Sequence, residues 1–173
     1  MREVISRKGV CDFVFQIGDK AVYPGHGVGI IEAIESKQIS GKEHVFFILR
    51  IVDNGMTIMI PHDNVAAVGL REVIRKLDVS KVMHILRNRE VTIDNQTWNR
   101  RYREYMEKIN TGSIYEIAEV RRDLHLLKAA KELSFGERKI MDTAKTLLVK
   151  ELAIAKDVKE SDVLRDIKTI FGS

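Results

Sequence analysis

Residues 97–103, Thr-Trp-Asn-Arg-Arg-Tyr-Arg, combine the single tryptophan of the chain with three arginines and contain no acidic residue. Guanidinium groups neutralise phosphates, and a flat apolar ring can stack on bases or wedge between them. This mixture of side chains is typical of a surface that contacts nucleic acid. The candidate contacts in this stretch are Trp98, Arg100, Arg101, Tyr102 and Arg103.

The same stretch also has a helical period, which allows a different interpretation. A helix that begins here would carry one apolar stripe, formed by Trp98, Tyr102, Tyr105, Met106 and Ile109. Such a stripe usually packs in a core. The residues alone therefore leave both nucleic-acid contact and core packing open for the tryptophan.

The composition indicates a globular protein of the cytoplasm. Of 173 residues, 45% are hydrophobic, which is enough for one or two folded domains. The formal net charge of +4 permits a nucleic-acid partner without requiring one. The single cysteine, Cys11, excludes a disulfide within the chain, which fits a reducing compartment. We also expect no membrane association, because no stretch has the character of a membrane span or an export signal.

No combination of residues suits catalysis, and we predict an absence of enzymatic activity, cofactor and metal ion. The five histidines are scattered along the chain, and neither a hydrolase motif nor a paired-cysteine zinc motif is present. Residues 25–29, Gly-His-Gly-Val-Gly, lack the spacing of a phosphate-binding loop. A β-rich run follows them, so we interpret these glycines as a turn and a kinked strand start.

The first half of the chain is predicted to be a small β domain. Residues 13–71 contain five short strands joined by tight turns, among them Asn54-Gly55, a strong hairpin signal. The last predicted strand covers Val65–Leu70. This pattern is typical of a Tudor- or SH3-like five-stranded β barrel. Residues 1–12 would precede it as an N-terminal extension.

The predicted strand Met56–Pro61 is apolar on both faces, although a small barrel has only one interior. We therefore expect Thr57, Met59 and Pro61 to point outward. An exposed apolar edge strand invites pairing with a strand of another protein. A helix of the same chain could equally cover it, and the sequence leaves both alternatives open.

The second half, residues 78–173, is predicted to be an all-α bundle of about five helices, after a linker at residues 72–77. The hydrophobic period changes from two to about 3.6 near Arg71, which marks this boundary. Ser113 and Ser134 each precede a glutamate by three residues and predict capping boxes. The predicted fold class is therefore α+β in two domains. Two basic pairs could extend a basic surface but are more commonly solvated, namely Arg121-Arg122 and Arg138-Lys139.

Long motifs in both halves resemble a known family. They are residues 15–29 (FQIGDKAVYPGHGVG), 54–61 (NGMTIMIP), 68–71 (VGLR), 97–109 (TWNRRYREYMEKI), 118–124 (AEVRRDL) and 133–139 (LSFGERK). In this order they resemble the CarD/CdnL family of bacterial RNA-polymerase-binding transcription regulators, and most of all its CdnL branch. The resemblance covers the chain from about residue 13 to its end.

For the first domain, the resemblance implies a Tudor-like barrel that docks on the β subunit of RNA polymerase, beside one of its strands. The residues implied in this contact are Lys37, Ile39, Met56, Thr57, Met59 and Pro61. Family members often carry a basic residue where Met59 stands. Apolar packing would therefore replace an ion pair at this position.

For the second domain, the resemblance implies contact with promoter DNA at the upstream edge of the −10 region, largely independent of sequence. Trp98 would wedge into the minor groove at the opening junction, and nearby basic residues would hold phosphates. The result would be a longer-lived open promoter complex, formed by a monomeric protein located at the nucleoid through RNA polymerase. The alternative is a protein–protein scaffold in which Trp98 is buried and DNA is not contacted.

Overall fold

A computed structural model of the chain describes residues 15–93 and 96–172. The predicted extension at residues 1–12, which includes Cys11, lies outside the described residues. So does the dipeptide Asp94-Asn95 of the predicted loop before the tryptophan helix.

The first domain is built on one antiparallel sheet, which confirms the five predicted strands in number. The strands are β1 (Lys20–Tyr23), β2 (Gly27–Ile39), β3 (Lys42–Ile51), β4 (Thr57–Pro61) and β5 (Arg71–Glu72). Their order in the sheet is β4-β3-β2-β1-β5. Alternate residues of the strands point into one apolar core, whose largest fully buried members are Phe15, Ile31, Phe47, Leu49, Ile51 and Ile60.

The predicted strand at Val65–Leu70 was wrong. Residues Val65–Val68 form a helical turn, α1, and the fifth strand is the later segment Arg71–Glu72, paired with β1. Val65 and Val68 both pack on the barrel core, and their spacing of three suits a helical turn rather than a strand. Gly69 ends the turn in the left-handed conformation, with φ of 75°.

The described residues of the second domain form five helices, as predicted, and the fold class is α+β. The helices are α2 (Val79–Arg87), α3 (Trp98–Asn110), α4 (Ile114–Ala130), α5 (Phe135–Lys156) and α6 (Glu160–Phe171). Short 3-10 turns occupy His62–Asn64 and Lys76–Asp78. The helices surround a second apolar core, whose fully buried members include Val82, Leu86, Ile109, Leu124, Leu148 and Leu152.

One of the two predicted capping boxes is confirmed. The Ser134 hydroxyl accepts a bond from the Glu137 backbone N–H, and the Ser134 N–H donates to the Glu137 carboxylate. The capping box predicted at Ser113 was wrong, because its side chain caps no N–H. Instead, the Thr111 hydroxyl donates to the Glu116 carboxylate and accepts from the Ser113 N–H. The carboxylate and the N–H that would bind each other in a capping box are therefore both bound to Thr111.

Candidate nucleic-acid and protein interfaces

Trp98 is the first residue of α3 and is half-buried. Its indole packs on the helical core and lies flat against the start of α5 at Gly136. A Cβ atom at Gly136 would come within 2.7 Å of the indole Cζ2 atom, so only glycine allows this approach. The Tyr102 ring meets the indole edge to face, with centroids 5.4 Å apart. Trp98 is therefore packed against the helical core while part of its surface stays accessible.

The apolar stripe enters the core only in the second half of α3. Tyr105 and Ile109 are buried, whereas Tyr102 is 42% exposed. Burial raises the pKa of the Tyr105 hydroxyl to about 12, which marks the start of the dry interior. The first turn and a half of α3 thus projects past the core.

Two of the predicted phosphate-binding arginines lie at the surface of the first two turns of α3. Arg100 and Arg103 are exposed. The Arg100 Nε atom lies 3.6 Å from a Glu104 carboxylate oxygen, an exposed pair one helical turn apart. Such pairs contribute at most about 1 kcal/mol, so this guanidinium can exchange its partner for a phosphate.

Arg101 has a different environment from Arg100 and Arg103. Its side chain is only 11% exposed. It donates to the Gln96 backbone carbonyl at 2.8 Å and to the Glu137 carboxylate at 2.9 Å. Arg101 therefore joins the start of α3 to the start of α5.

Glu137 is almost completely buried and remains ionised. Burial alone raises the pKa of its carboxyl, but the Ser134 backbone N–H and the Arg101 guanidinium outweigh burial and hold the pKa below its usual value. The Lys131 ammonium, 3.5 Å away, acts in the same direction. The carboxylate is thus a negative charge in the first turn of α5, next to the glycine that contacts Trp98.

In the basic pair on α4, Arg122 is buried and Arg121 is partly buried, so this pair is not a solvated surface. Arg122 is buried and pairs with Asp123 at 2.8 Å. The Arg121 guanidinium lies 4.8 Å from the centroid of the Phe171 ring, and burial lowers its pKa. Arg121 therefore connects α4 to α6, whereas Arg122 binds within α4.

The basic pair on α5, Arg138 and Lys139, is exposed and follows an exposed aromatic residue that the sequence reasoning had missed. Phe135 is 77% exposed. The sequence contained a signal for its exposure. Gly136 and Glu137 lie four and three residues before the inward-facing Ile140 and so share its helical face, whereas Phe135 lies outside that spacing. Phe135, Arg138 and Lys139 line one wall of an open cleft of about 740 Å³ between α5 and the sheet turns.

At the far edge of the sheet, β4 pairs with β3 and its outer row is accessible. Thr57 and Met59 point outward while Ile60 is buried, which confirms the predicted alternation. Met59 is 47% exposed, so no helix among the described residues covers this row of the strand. Pro61 is half-buried.

The remaining residues implied in polymerase contact lie beside this strand. The Lys37 ammonium is 4.0 Å from the Met59 sulfur. Ile39, at the end of β2, and Met56, just before β4, are both exposed. The described structure thus exposes Met56, Thr57 and Met59 along the β4 edge and Ile39 at the β2–β3 hairpin, with Lys37 next to Met59.

Comparisons with known proteins agree with both halves of this architecture. Residues 15–74 match the model of the CarD-like/TRCF RID domain, and residues 81–168 match the model of the CarD C-terminal domain. The chain is 39% identical over 150 residues to YdeB of Bacillus subtilis (strain 168), which carries a provisional designation as a transcription factor. The alignment covers 87% of this chain and 97% of that relative. The chain belongs to the CarD/CdnL family.

Two solved structures of family members from Myxococcus xanthus also match. CdnLNt is 51% identical, covering 39% of this chain and 94% of its own, with a TM-score of 0.31. The solution NMR structure of the 72-residue N-terminal domain of CarD is 32% identical, covering 38% of this chain and 87% of its own, with a TM-score of 0.30.

Membership of the CarD/CdnL family makes transcription regulation the function class of this protein. The RID match makes RNA polymerase the kind of partner for the N-terminal domain. None of the described helices is long and apolar enough to cross a membrane. Across residues 15–93 and 96–172, no group of three His, Cys, Asp or Glu side chains could hold a metal ion.

Proposed function

We propose that this CarD/CdnL protein connects RNA polymerase to promoter DNA and prolongs the life of the open promoter complex. The barrel docks through the β4 edge on the polymerase β subunit, and the start of α3 contacts DNA at the upstream edge of the −10 region. The observation that carries this proposal is the half-buried Trp98 at the start of α3, which has the exposed Tyr102 ring against it, the exposed Arg100 and Arg103 within the same two turns, and Arg101 bound to Glu137.

The physical basis is differential binding. Docking of the barrel raises the effective concentration of the helical domain at the promoter. Arg100 and Arg103 bind phosphates without regard to sequence, in a manner that weakens with salt. Trp98 fits the unstacked junction of opened DNA better than closed duplex. A preference of about 1.4 kcal/mol would shift the equilibrium about tenfold toward the open complex.

Replacing Trp98 by alanine tests the DNA arm of this proposal. We expect Trp98→Ala to shorten the lifetime of the open complex while polymerase binding stays unchanged, because the barrel is untouched. Leu77→Ala is the matched control, since Leu77 is an exposed apolar residue outside the proposed surface. An unchanged lifetime in Trp98→Ala would refute the wedge.

Replacing Met59 by aspartate tests the polymerase arm. A charge in the apolar β4 edge should abolish polymerase binding and leave the circular dichroism of the protein unchanged, because Met59 is exposed. Ile17→Asp places the same charge on another exposed apolar residue of the barrel, ahead of β1, and should bind polymerase normally. Equal binding by both variants would remove the β4 edge from the interface.

The packed face of Trp98 supports a second candidate, a scaffold that binds polymerase but not DNA. This alternative predicts that Trp98→Ala lowers stability without changing promoter affinity. Protection of promoter DNA in a footprint of the polymerase complex, lost in Arg100→Ala together with Arg103→Ala, would eliminate it.

A further inference from the structure

Arg71, in the short strand β5, crosses from the barrel to the helical domain. Its guanidinium donates to both carboxylate oxygens of Glu151 on α5, at 2.6 and 2.9 Å. It also donates twice to the Gly112 carbonyl, at 3.0 and 2.7 Å, and once to the Glu72 carbonyl, at 2.9 Å. All five N–H groups of the guanidinium are thus engaged.

The acceptor of this contact is set deep in the interface. Glu151 is 3% exposed, and it accepts a further bond from the Ile74 backbone N–H at 3.1 Å. Its carboxylate therefore holds both β5 and the segment that leaves it. Few other partners could satisfy this buried charge, so the bidentate geometry fixes the angle between the strand and α5.

Packing around the ion pair reinforces the same face of α5. A Cβ at Gly27, at the start of β2, would lie 2.9 Å from Leu147, and Lys150 lies 3.4 Å from Asp53 of the β3–β4 turn. Leu147, Lys150 and Glu151 are spaced three and four residues apart and so share one helical face. This face is the contact between α5 and the barrel.

The Gly112 contact extends the link to α3. Gly112 ends the turn that joins α3 to α4, and Pro24 of the β1–β2 turn packs against it, 2.9 Å from where a Cβ would stand. Arg71 and Pro24 therefore both contact the turn that directly follows the helix beginning with Trp98. The same helix is tied to α5 at its other end by Arg101.

We propose that Arg71 is a positioning residue that fixes the orientation of α3, and hence of Trp98, relative to the barrel. Glu137 and Glu151 lie 14 residues apart on α5, a separation of about 21 Å along a helix. One continuous helix, α5, therefore contacts the Trp98 region near its first turn and the barrel near its last. This inference rests on the proposed function, because a fixed orientation matters only if the barrel is docked while Trp98 contacts DNA.

The variant Arg71→Met, in the full chain, tests this inference with a measurement that needs neither polymerase nor DNA. NMR relaxation of the backbone amides should give one rotational correlation time for both domains of the wild type. In Arg71→Met we expect two distinct correlation times, while the chemical shifts inside each core remain as in the wild type. Glu151→Gln, which keeps the acceptor for Ile74 but loses the charge, should behave in the same way.

The functional readout separates orientation from affinity. Arg71→Met should bind polymerase as the wild type does and should lose most of its effect on the open complex, by about tenfold, because a flexible tether lowers the effective concentration of Trp98 at the junction. Arg71→Lys, which keeps the charge but not the fork of donors, should fall between the two. Arg75→Met is the matched control, because Arg75 pairs with Asp78 in an exposed contact within the linker.

A single correlation time in both Arg71→Met and Glu151→Gln would overturn the inference. So would two correlation times together with an unchanged lifetime of the open complex. If Trp98→Ala also leaves that lifetime unchanged, the proposed function fails, whereas the relaxation result still reports on the domain link by itself.

Discussion

Each end of α5 has a buried glutamate that binds an arginine, but the two ion pairs have different structural roles. Glu137 near the first turn and Glu151 near the last are both nearly inaccessible, and each binds an arginine from another element. Arg101 comes from α3, so the first pair lies within the helical domain. Arg71 comes from the barrel, so the second pair lies between domains. The comparison teaches that the origin of the arginine sets the role of a buried pair.

The two pairs also differ in how fully the arginine is satisfied. Arg71 uses every N–H group, whereas the Arg101 Nε is buried and has no partner among the described residues. A buried ion pair adds little net stability over apolar packing, but removing one partner leaves the other charge stranded. The geometry that each pair imposes is therefore its main contribution.

The largest expected effect is a difference in the stability lost when each glutamate is replaced by glutamine. Glu137→Gln retains a capping side chain but leaves the Arg101 guanidinium without its carboxylate partner. We expect the free energy of unfolding to fall by about 3 kcal/mol. Glu151→Gln should cost much less, because Arg71 is 29% exposed and can turn to water once the domains part. Urea unfolding of both variants measures this difference, and equal losses would break the comparison.

Acid titration sharpens the same contrast. The folded-state pKa of Glu137 lies below its ordinary value of 4.5, so its stabilising effect is complete above that value and is lost as pH falls through the folded-state pKa. The stability difference between the wild type and Glu137→Gln should therefore shrink toward zero in acid. Unfolding curves from pH 7 to about 3 measure it, and a difference independent of pH would contradict the assignment.

A smaller effect is expected from Gly136→Ala, which acts at the Glu137 end alone. The new methyl group would press on the Trp98 indole, costing about 1–3 kcal/mol and shifting its fluorescence to the red. In a Trp98→Ala background the clash is absent, and the same change should stabilise α5 by about 0.5–1 kcal/mol. A loss of stability in both backgrounds would mean that the indole does not lie against this glycine.

The smallest effect distinguishes two serines of equal sequence pattern. Ser134→Ala should cost about 1 kcal/mol, because its hydroxyl caps α5 beside Glu137. Ser113→Ala should be nearly neutral, because its side chain caps nothing. Thermal unfolding of the two variants measures the difference, and a reversed order would assign the capping boxes the other way round.

Elements and exposed surfaces were largely predictable from local pattern. The alternation in residues 56–61 predicted that Thr57 and Met59 face outward, and the 3.6-residue period predicted five helices. The errors arose where a local pattern had two solutions. Val65–Val68 is apolar enough for a strand but is spaced for a turn, and Ser113 has a capping sequence whose glutamate bonds elsewhere.

The sequence by itself determined the two domains, the family, and the placement of an arginine-rich, aromatic stretch at the start of α3. Only the tertiary structure decided which of those arginines are exposed and which one is held by a carboxylate. Arg101 meets Glu137 across 36 residues, and Arg71 meets Glu151 across 80. Periodicity reports neighbours one turn or one strand away, whereas the partner of a buried charge is set by how distant elements pack.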